Sequence, residues 1–174
     1  PGYHNGVSYN YSSDSMDLGF AVLDSVYGPD ASIDDGEFGF EVMGRFYPAE
    51  GLTLYFGYAK DSYDFRSNDE LFNFWASYEL GGATYAAEFN TYELAGMEGD
   101  QWLVMGNWPV TETVSITARV SDDSIDGGDS ATKYTIAPLW SVSDNLGFVF
   151  EISKSDSDFM GDTTSVAFET IFTF

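Results

Sequence analysis

Residues 163–174 read "TTSVAFETIFTF". Val166, Phe168, Thr170, Phe172 and Phe174 fall on one side of an extended chain. Ala167, Glu169, Ile171 and Thr173 fall on the other. Alternation of this kind predicts a β-strand with two different environments. The last residue is an aromatic ring with no polar tail behind it, in a chain of formal net charge −23. The same period of two runs through "LGFVFEIS" (146–153), "TVSITARVS" (113–121), "ELFNFWASYEL" (70–80), "LTLYFGYA" (52–59), "GEFGFEVMGRF" (36–46) and "MDLGFAVL" (16–23). In "QWLVMGNW" (101–108) both faces are largely apolar, so the pattern there is ambiguous.

Composition removes several classes of function. The 29 acidic residues outnumber the 6 basic ones, which argues against a nucleic-acid partner, because phosphate binding needs Lys and Arg. With 15 Phe, 12 Tyr and 4 Trp the chain is too aromatic for a disordered acidic tail. No Cys is present, which excludes disulfides, thiolate metal sites and a Cys nucleophile. No apolar run is long enough for a transmembrane helix, and no signal peptide is visible. The sequence starts at Pro1 rather than Met, so an upstream segment is expected.

The periodic segments predict about eleven strands, at 4–11, 16–27, 37–47, 51–60, 69–80, 83–94, 100–108, 113–123, 131–141, 146–155 and 163–174. Most have the length that a tilted strand needs to cross a bilayer, about 9–11 residues. Helical signals are nearly absent. Short connections ("SSDS", "YPAEG", "LGG", "WPVTET", "SVSDN") alternate with longer, acidic ones. The latter are "SVYGPDASIDDGE", "KDSYDFRSNDE", "NTYELAGMEGD", "SDDSIDGGDSATK" and "SKSDSDFMGD". The expected fold is an antiparallel meander with tight turns at one end and acidic loops at the other.

A soluble β-sandwich also has period-two strands, with its rings in the core and its charges in water. Three features favour a transmembrane up-and-down antiparallel β-barrel instead. Rings gather near strand ends on the apolar face: Tyr9, Tyr11, Phe46, Tyr58, Tyr78, Tyr85, Trp102, Trp108, Trp140 and Phe174. Such rings suit the two interfacial girdles of a barrel in lipid. The opposite face carries charge within the strands: Asp17, Glu41, Arg45, Glu79, Glu88, Arg119, Lys133, Glu151 and Glu169. A soluble barrel fills its interior with apolar side chains, whereas a wet lumen tolerates charge. Unequal connections at the two ends are the third feature.

With that pattern in place, a resemblance becomes specific. "FETIFTF" (168–174) resembles the C-terminal strand of bacterial outer-membrane proteins, which the barrel-assembly machinery reads; Phe172 and Phe174 would be its signal residues. "HNGVSYNYSSDSMDLGFAVLDSVYG", "WLVMGNWPVTETVSITARVSDD" and "TKYTIAPLWSVSDNLGFVFEISKSD" together resemble the C-terminal half of the OmpL-like β-barrel porin-2 group. The sequence departs from that group at Asn5, where Thr is usual, and at "LDSVYG", which replaces an "NGWD"-like segment. The resemblance implies one β-barrel domain over residues 1–174, the C-terminal portion of a porin of about sixteen strands. An odd strand count leaves two arrangements open. Either the first segment is not a strand and ten strands close, or further strands precede Pro1; the resemblance favours the second.

The functional expectation is a passive channel for ions and small polar solutes in the outer membrane of a Gram-negative bacterium. The nine strand charges would line the pore, with the acidic excess favouring cations. The competing role for Arg45 and Arg119 is to neutralise neighbouring carboxylates. Lipid, lipopolysaccharide, the barrel-assembly machinery and two further copies in a homotrimer are the expected partners. No catalytic residue is expected, because His4 is the one histidine and sits at the start of the chain. No cofactor is expected either. The stretches "DDSIDGGDS" and "SDSDFMGD" bunch hard oxygen ligands without matching the EF-hand order, so loop-bound Ca²⁺ is the lesser reading beside solvated loops. A non-channel barrel that anchors or adheres is the runner-up function, and a secreted soluble β-protein the third.

Overall fold

A computed structural model describes residues 5–26, 38–63 and 67–173. Among these residues every regular element is a strand. The strands are β1 (Gly6–Ser12), β2 (Met16–Leu23), β3 (Gly39–Ala49), β4 (Leu52–Asp61), β5 (Asp69–Leu80) and β6 (Ala83–Leu94). There follow β7 (Met97–Pro109), β8 (Val114–Ile125), β9 (Ser130–Ser143), β10 (Leu146–Ser157) and β11 (Thr163–Phe172). Their order in the sheet is their order in the chain, which is the up-and-down antiparallel meander that the alternation predicts. The chain forms two compact units. Residues 1–76 and 88–100 make the first, and residues 77–87 and 101–174 make the second.

In the first unit Tyr9 pairs with Phe20, Phe20 with Val42, and Val42 with Tyr58, so one face is a row of apolar side chains. The neighbouring row on the other face runs Ser8, Ala21, Glu41, Ala59. In the second unit Ala118 pairs with Ile136, Ile136 with Ile152, and Ile152 with Val166. The row on the opposite face is Arg119, Thr135, Ser153, Ser165. A pleated strand sends successive side chains to opposite faces, so the sequence alternation becomes a two-faced sheet directly.

The apolar face is not buried. Among the described residues the buried apolar side chains are Ala59 and Ala83 alone, while Val7, Tyr9, Ile136 and Phe168 are 59–78% exposed. The largest fully buried side chains are Asp61, Ser25 and Ser153. A soluble sandwich has the reverse arrangement. On the apolar face the rings lie down over glycines. A Cβ on Gly44 would stand 2.4 Å from the Phe56 ring, and one on Gly106 would stand 2.4 Å from the Trp108 ring. Glycine at these places lets a large side chain cover its neighbour's backbone.

The connections differ from expectation at one end. Gly81 and Gly82, with φ of 61° and 80°, make the predicted tight turn between β5 and β6. At the opposite end, three of the five acidic connections are much shorter than the sequence implies. "NTYELAGMEGD" is almost all strand, turning on Ala95 (φ 54°) and Gly96 (φ 79°), the mirror-image hairpin geometry. "SDDSIDGGDSATK" reduces to residues 126–129, and "SKSDSDFMGD" to 158–162. The cause is cross-strand hydrogen bonding by the polar side chains themselves. Thr132 donates to Asp122 at 2.7 Å, and Ser157 donates to Asp129 at 2.8 Å. Asp129 also accepts the Phe159 N–H at 2.8 Å. Longer connections remain between β2 and β3 and between β4 and β5, each including residues outside the described set. The strand expected at 16–27 ends at Leu23.

Candidate functional site

The nine charges expected to share a face do alternate with the apolar side chains of their strands. In the first unit Asp17 stands opposite Arg45, with 4.0 Å between guanidinium and carboxylate. Tyr47 donates its hydroxyl to the same carboxylate at 2.7 Å. Arg45 in turn stands opposite Tyr55. Its guanidinium carbon lies 5.9 Å from the Tyr55 centroid and 6.0 Å from that of Trp75, within cation–π range. The two rings are themselves stacked, 5.4 Å apart and tilted by 15°. Arg45 therefore does part of what the neutralising role requires, and it also fixes an aromatic pair that the sequence reading did not single out.

Glu41 is exposed between Ala21 and Ala59. Glu88 belongs to a trio. Asn73 donates to Glu88 at 2.8 Å and to the side-chain oxygen of Asn90 at 2.6 Å, and Asn90 donates to Glu88 at 3.3 Å. A concavity of about 570 Å³ opens over this region, lined by Glu41, Asn73, Glu88 and Asn90 among others.

In the second unit Lys133 approaches Glu151 at 3.7 Å, both part-exposed. Arg119 stands opposite Thr135, and its Nε is buried without a hydrogen-bond partner among the described residues. Among the described residues no ion pair of Arg119 with a carboxylate is formed within 4.0 Å. Glu169 is exposed opposite Val149, and Glu79 is exposed next to the Gly81–Gly82 turn. Phe172 pairs with Leu146 at the end of β11 and is 63% exposed. Phe174 and His4 lie outside the described residues.

Charges also occur on the apolar face, where none was anticipated. By alternation along their strands these are Lys60, Glu70, Glu93, Glu98, Asp100, Asp122, Lys154 and Asp156, all at the acidic-connection ends. Lys60 bonds Glu70, and Tyr58 donates to the same carboxylate at 3.0 Å. Lys154 reaches Asp162 in the last turn at 2.7 Å. That hydrogen bond, with the positive charge behind it, holds the Asp162 carboxyl below its ordinary range. The rest of the apolar face is free of charge: Phe72 to Leu80 on β5, Val114 to Val120 on β8, and Leu146 to Ile152 on β10. Among the described residues no three acidic or His side chains are arranged to hold a metal ion. Several loop carboxylates cap turns and accept from hydroxyls: Asp129 from Ser157 and the Phe159 N–H, and Asp158 from Ser130.

Asp61 is a residue that sequence reading passed over. It is 2% exposed and accepts the Ser25 hydroxyl at 2.7 Å, the Val26 N–H at 2.7 Å and the Tyr63 hydroxyl at 3.1 Å. Asp69, 5% exposed, accepts the N–H of Ala95 at 2.7 Å. These two carboxylates tie the loop-side ends of the first unit together.

No family model matches the chain, and no curated protein does. Solved structures do. A porin refined at 1.8 Å resolution superposes with a TM-score of 0.77 at 16% identity, over 98% of this chain and 62% of its own. A loop-deletion mutant of OmpT, an outer membrane protein of Vibrio cholerae, gives 0.69 at 12% identity, over 96% and 62%. A triple mutant of the Rhodopseudomonas blastica porin gives 0.67 at 20% identity, over 98% and 55%. The chain thus spans between half and two thirds of the length of these barrels, and it has a porin-like fold.

Proposed function

We propose that the chain is part of the wall of an outer-membrane porin, a passive channel for ions and small polar solutes. The observation that carries this reading is the sheet's inverted polarity. Large apolar side chains are exposed across a charge-free band, while charge and hydrogen-bonding groups occupy the other face within the same strands. Lipid against the first face and water against the second accommodates both, since an apolar belt about 25 Å tall is what a barrel presents to a bilayer. Asp17, Glu41, Arg45, Glu79, Glu88, Arg119, Lys133, Glu151 and Glu169 would then line the pore. Their acidic excess would favour cations.

The porin-like fold supports the reading, as does the resemblance of several sequence stretches to the OmpL-like porin-2 group. On the same reading the chain is the C-terminal portion of a larger barrel, and Phe172 and Phe174 carry its assembly signal. Its location is the outer membrane of a Gram-negative bacterium, in contact with lipopolysaccharide, and its assembly is a homotrimer. The test is conductance of the full-length protein in a planar bilayer. Stepwise ohmic currents with modest cation preference are expected. Stable insertion without conductance would favour the alternative, a barrel with an anchoring or adhesive role. Partitioning into water without detergent would overturn both.

A further inference from the structure

We propose that the concavity of the first unit is a subsite for a neutral, polyhydroxylated solute, a saccharide ring in particular; this rests on the channel reading and names a solute class for it. The concavity measures about 570 Å³. That falls within the about 300–1,000 Å³ typical of small-molecule sites. Three amides line it, Asn10, Asn73 and Asn90, from three different strands, with two carboxylates, Glu41 and Glu88. Of its aromatic residues, Phe20, Tyr55 and Tyr58, Tyr55 is the one on the polar face. Its ring lies over the backbone of Gly57, where a Cβ would stand 2.9 Å from the hydroxyl and 3.2 Å from the ring edge.

The chemistry selects the ligand. A side-chain amide donates and accepts at once, and a carboxylate accepts at two oxygens. Vicinal hydroxyls, each both donor and acceptor, complement that set. The C–H face of a sugar ring complements a flat aromatic surface. No Lys or Arg lines the concavity, and two carboxylates do, so an anionic solute is disfavoured there. Arg45, opposite Tyr55, is turned to Asp17 and the ring pair. The site is also preorganised. The bonds from Asn73 to Glu88 and to Asn90 fix three of the polar groups before any ligand arrives. Fixed donors and acceptors lose less entropy on binding than mobile ones.

The test uses the full-length protein, refolded into planar bilayers, with maltose as probe. Ion current through the channel should fall saturably as maltose is added. A polyethylene glycol of similar size should reduce it only in proportion to the conductivity of the solution. Asn73→Ala with Asn90→Ala should raise the half-blocking concentration about 25-fold, since each of the two lost hydrogen bonds is worth about a factor of five. Tyr55→Ala should act likewise. Conductance with no saturable maltose block overturns the subsite and leaves the channel reading standing. Block by millimolar divalent cation, with none by maltose, assigns the concavity to cations and also overturns the proposal. Absence of conductance removes the channel reading. In that case calorimetric titration of the detergent-solubilised protein with maltose decides the subsite by itself, and no heat of binding sinks it.

Discussion

Replacing Phe150 by Arg puts the lipid-facing assignment to its sharpest test. Phe150 lies on β10 opposite Phe168, with Phe148 and Ile152 on the same face, and is 42% exposed. It stands five residues beyond the turn residue Asn145. At about 3.3 Å per residue and a tilt of about 40°, it lies about 13 Å along the membrane normal from that turn. Half of an apolar band of about 25 Å is the same depth, so Phe150 is near the midplane. An Arg at that depth costs about 2–4 kcal/mol. The folded-to-unfolded ratio should therefore fall about 30- to 700-fold. Glu151→Gln, one residue along, changes the other face. It removes an ion pair with Lys133 at 3.7 Å that is part-exposed, worth about 0–1 kcal/mol. Urea titrations of both variants of the full-length protein, refolded into liposomes, would measure the two costs. Destabilisation by the Gln with tolerance of the Arg would refute the argument. A strand's faces exchange together, so every assignment on β10 would then reverse.

Three further outcomes are expected. On intact cells chymotrypsin should cut after Phe159, which is 84% exposed in the 158–162 turn, and should spare Leu80, 58% exposed beside the 81–82 turn; cutting only after Leu80 would reverse the orientation. Gly106→Ala should displace the Trp108 ring and break its 3.2 Å bond to the Tyr85 hydroxyl, shifting Trp emission and costing about 1–3 kcal/mol in urea; an unchanged spectrum and midpoint would show that the ring does not rest on that glycine. Asp162 has a lowered folded-state pKa, so its contribution is present above the ordinary carboxylate range and is lost as pH falls through the folded value. Backbone hydrogen exchange in the 158–162 turn should accordingly rise, relative to the intrinsic rate, on acidification below about pH 4, and Asp162→Asn should abolish that dependence; equal pH profiles in the two proteins would contradict it.

The faces of the strands were legible because a period of two needs no knowledge of neighbours. Tyr9, Phe20 and Ile152 are apolar-side residues on sequence alone. Strand ends were less legible. Beyond the apolar band both faces turn polar, so alternation fades while pairing continues through Thr132, Asp122, Ser157 and Asp129. Segments rich in Asp and Ser therefore read as loops although they are strand. Ala95 at φ 54° could not be anticipated either, since a non-glycine residue rarely adopts that conformation. The Asn73–Glu88–Asn90 trio depends on register between two strands. The signal was present in Gly81–Gly82. Counting pairs back from a two-residue turn there brings Asn73 opposite Asn90. Asp61 had no signal at all, because its partners Ser25 and Val26 are distant in sequence and belong to a connection without periodicity.

The strand order has a consequence for how such a sheet forms and varies. Among the described residues each strand hydrogen-bonds to its neighbours in sequence, and several connections are as short as two to five residues. Closing so short a loop costs little chain entropy, and contacts between adjacent strands keep contact order low for an all-β architecture. Every hairpin is then a separable folding step, formed against the edge left by the one before it. The same locality makes circumference modular. A hairpin inserted or lost at a tight turn changes the number of strands by two and breaks pairing only at that seam. The alternation of every remaining strand is preserved, so its side chains keep the faces they had.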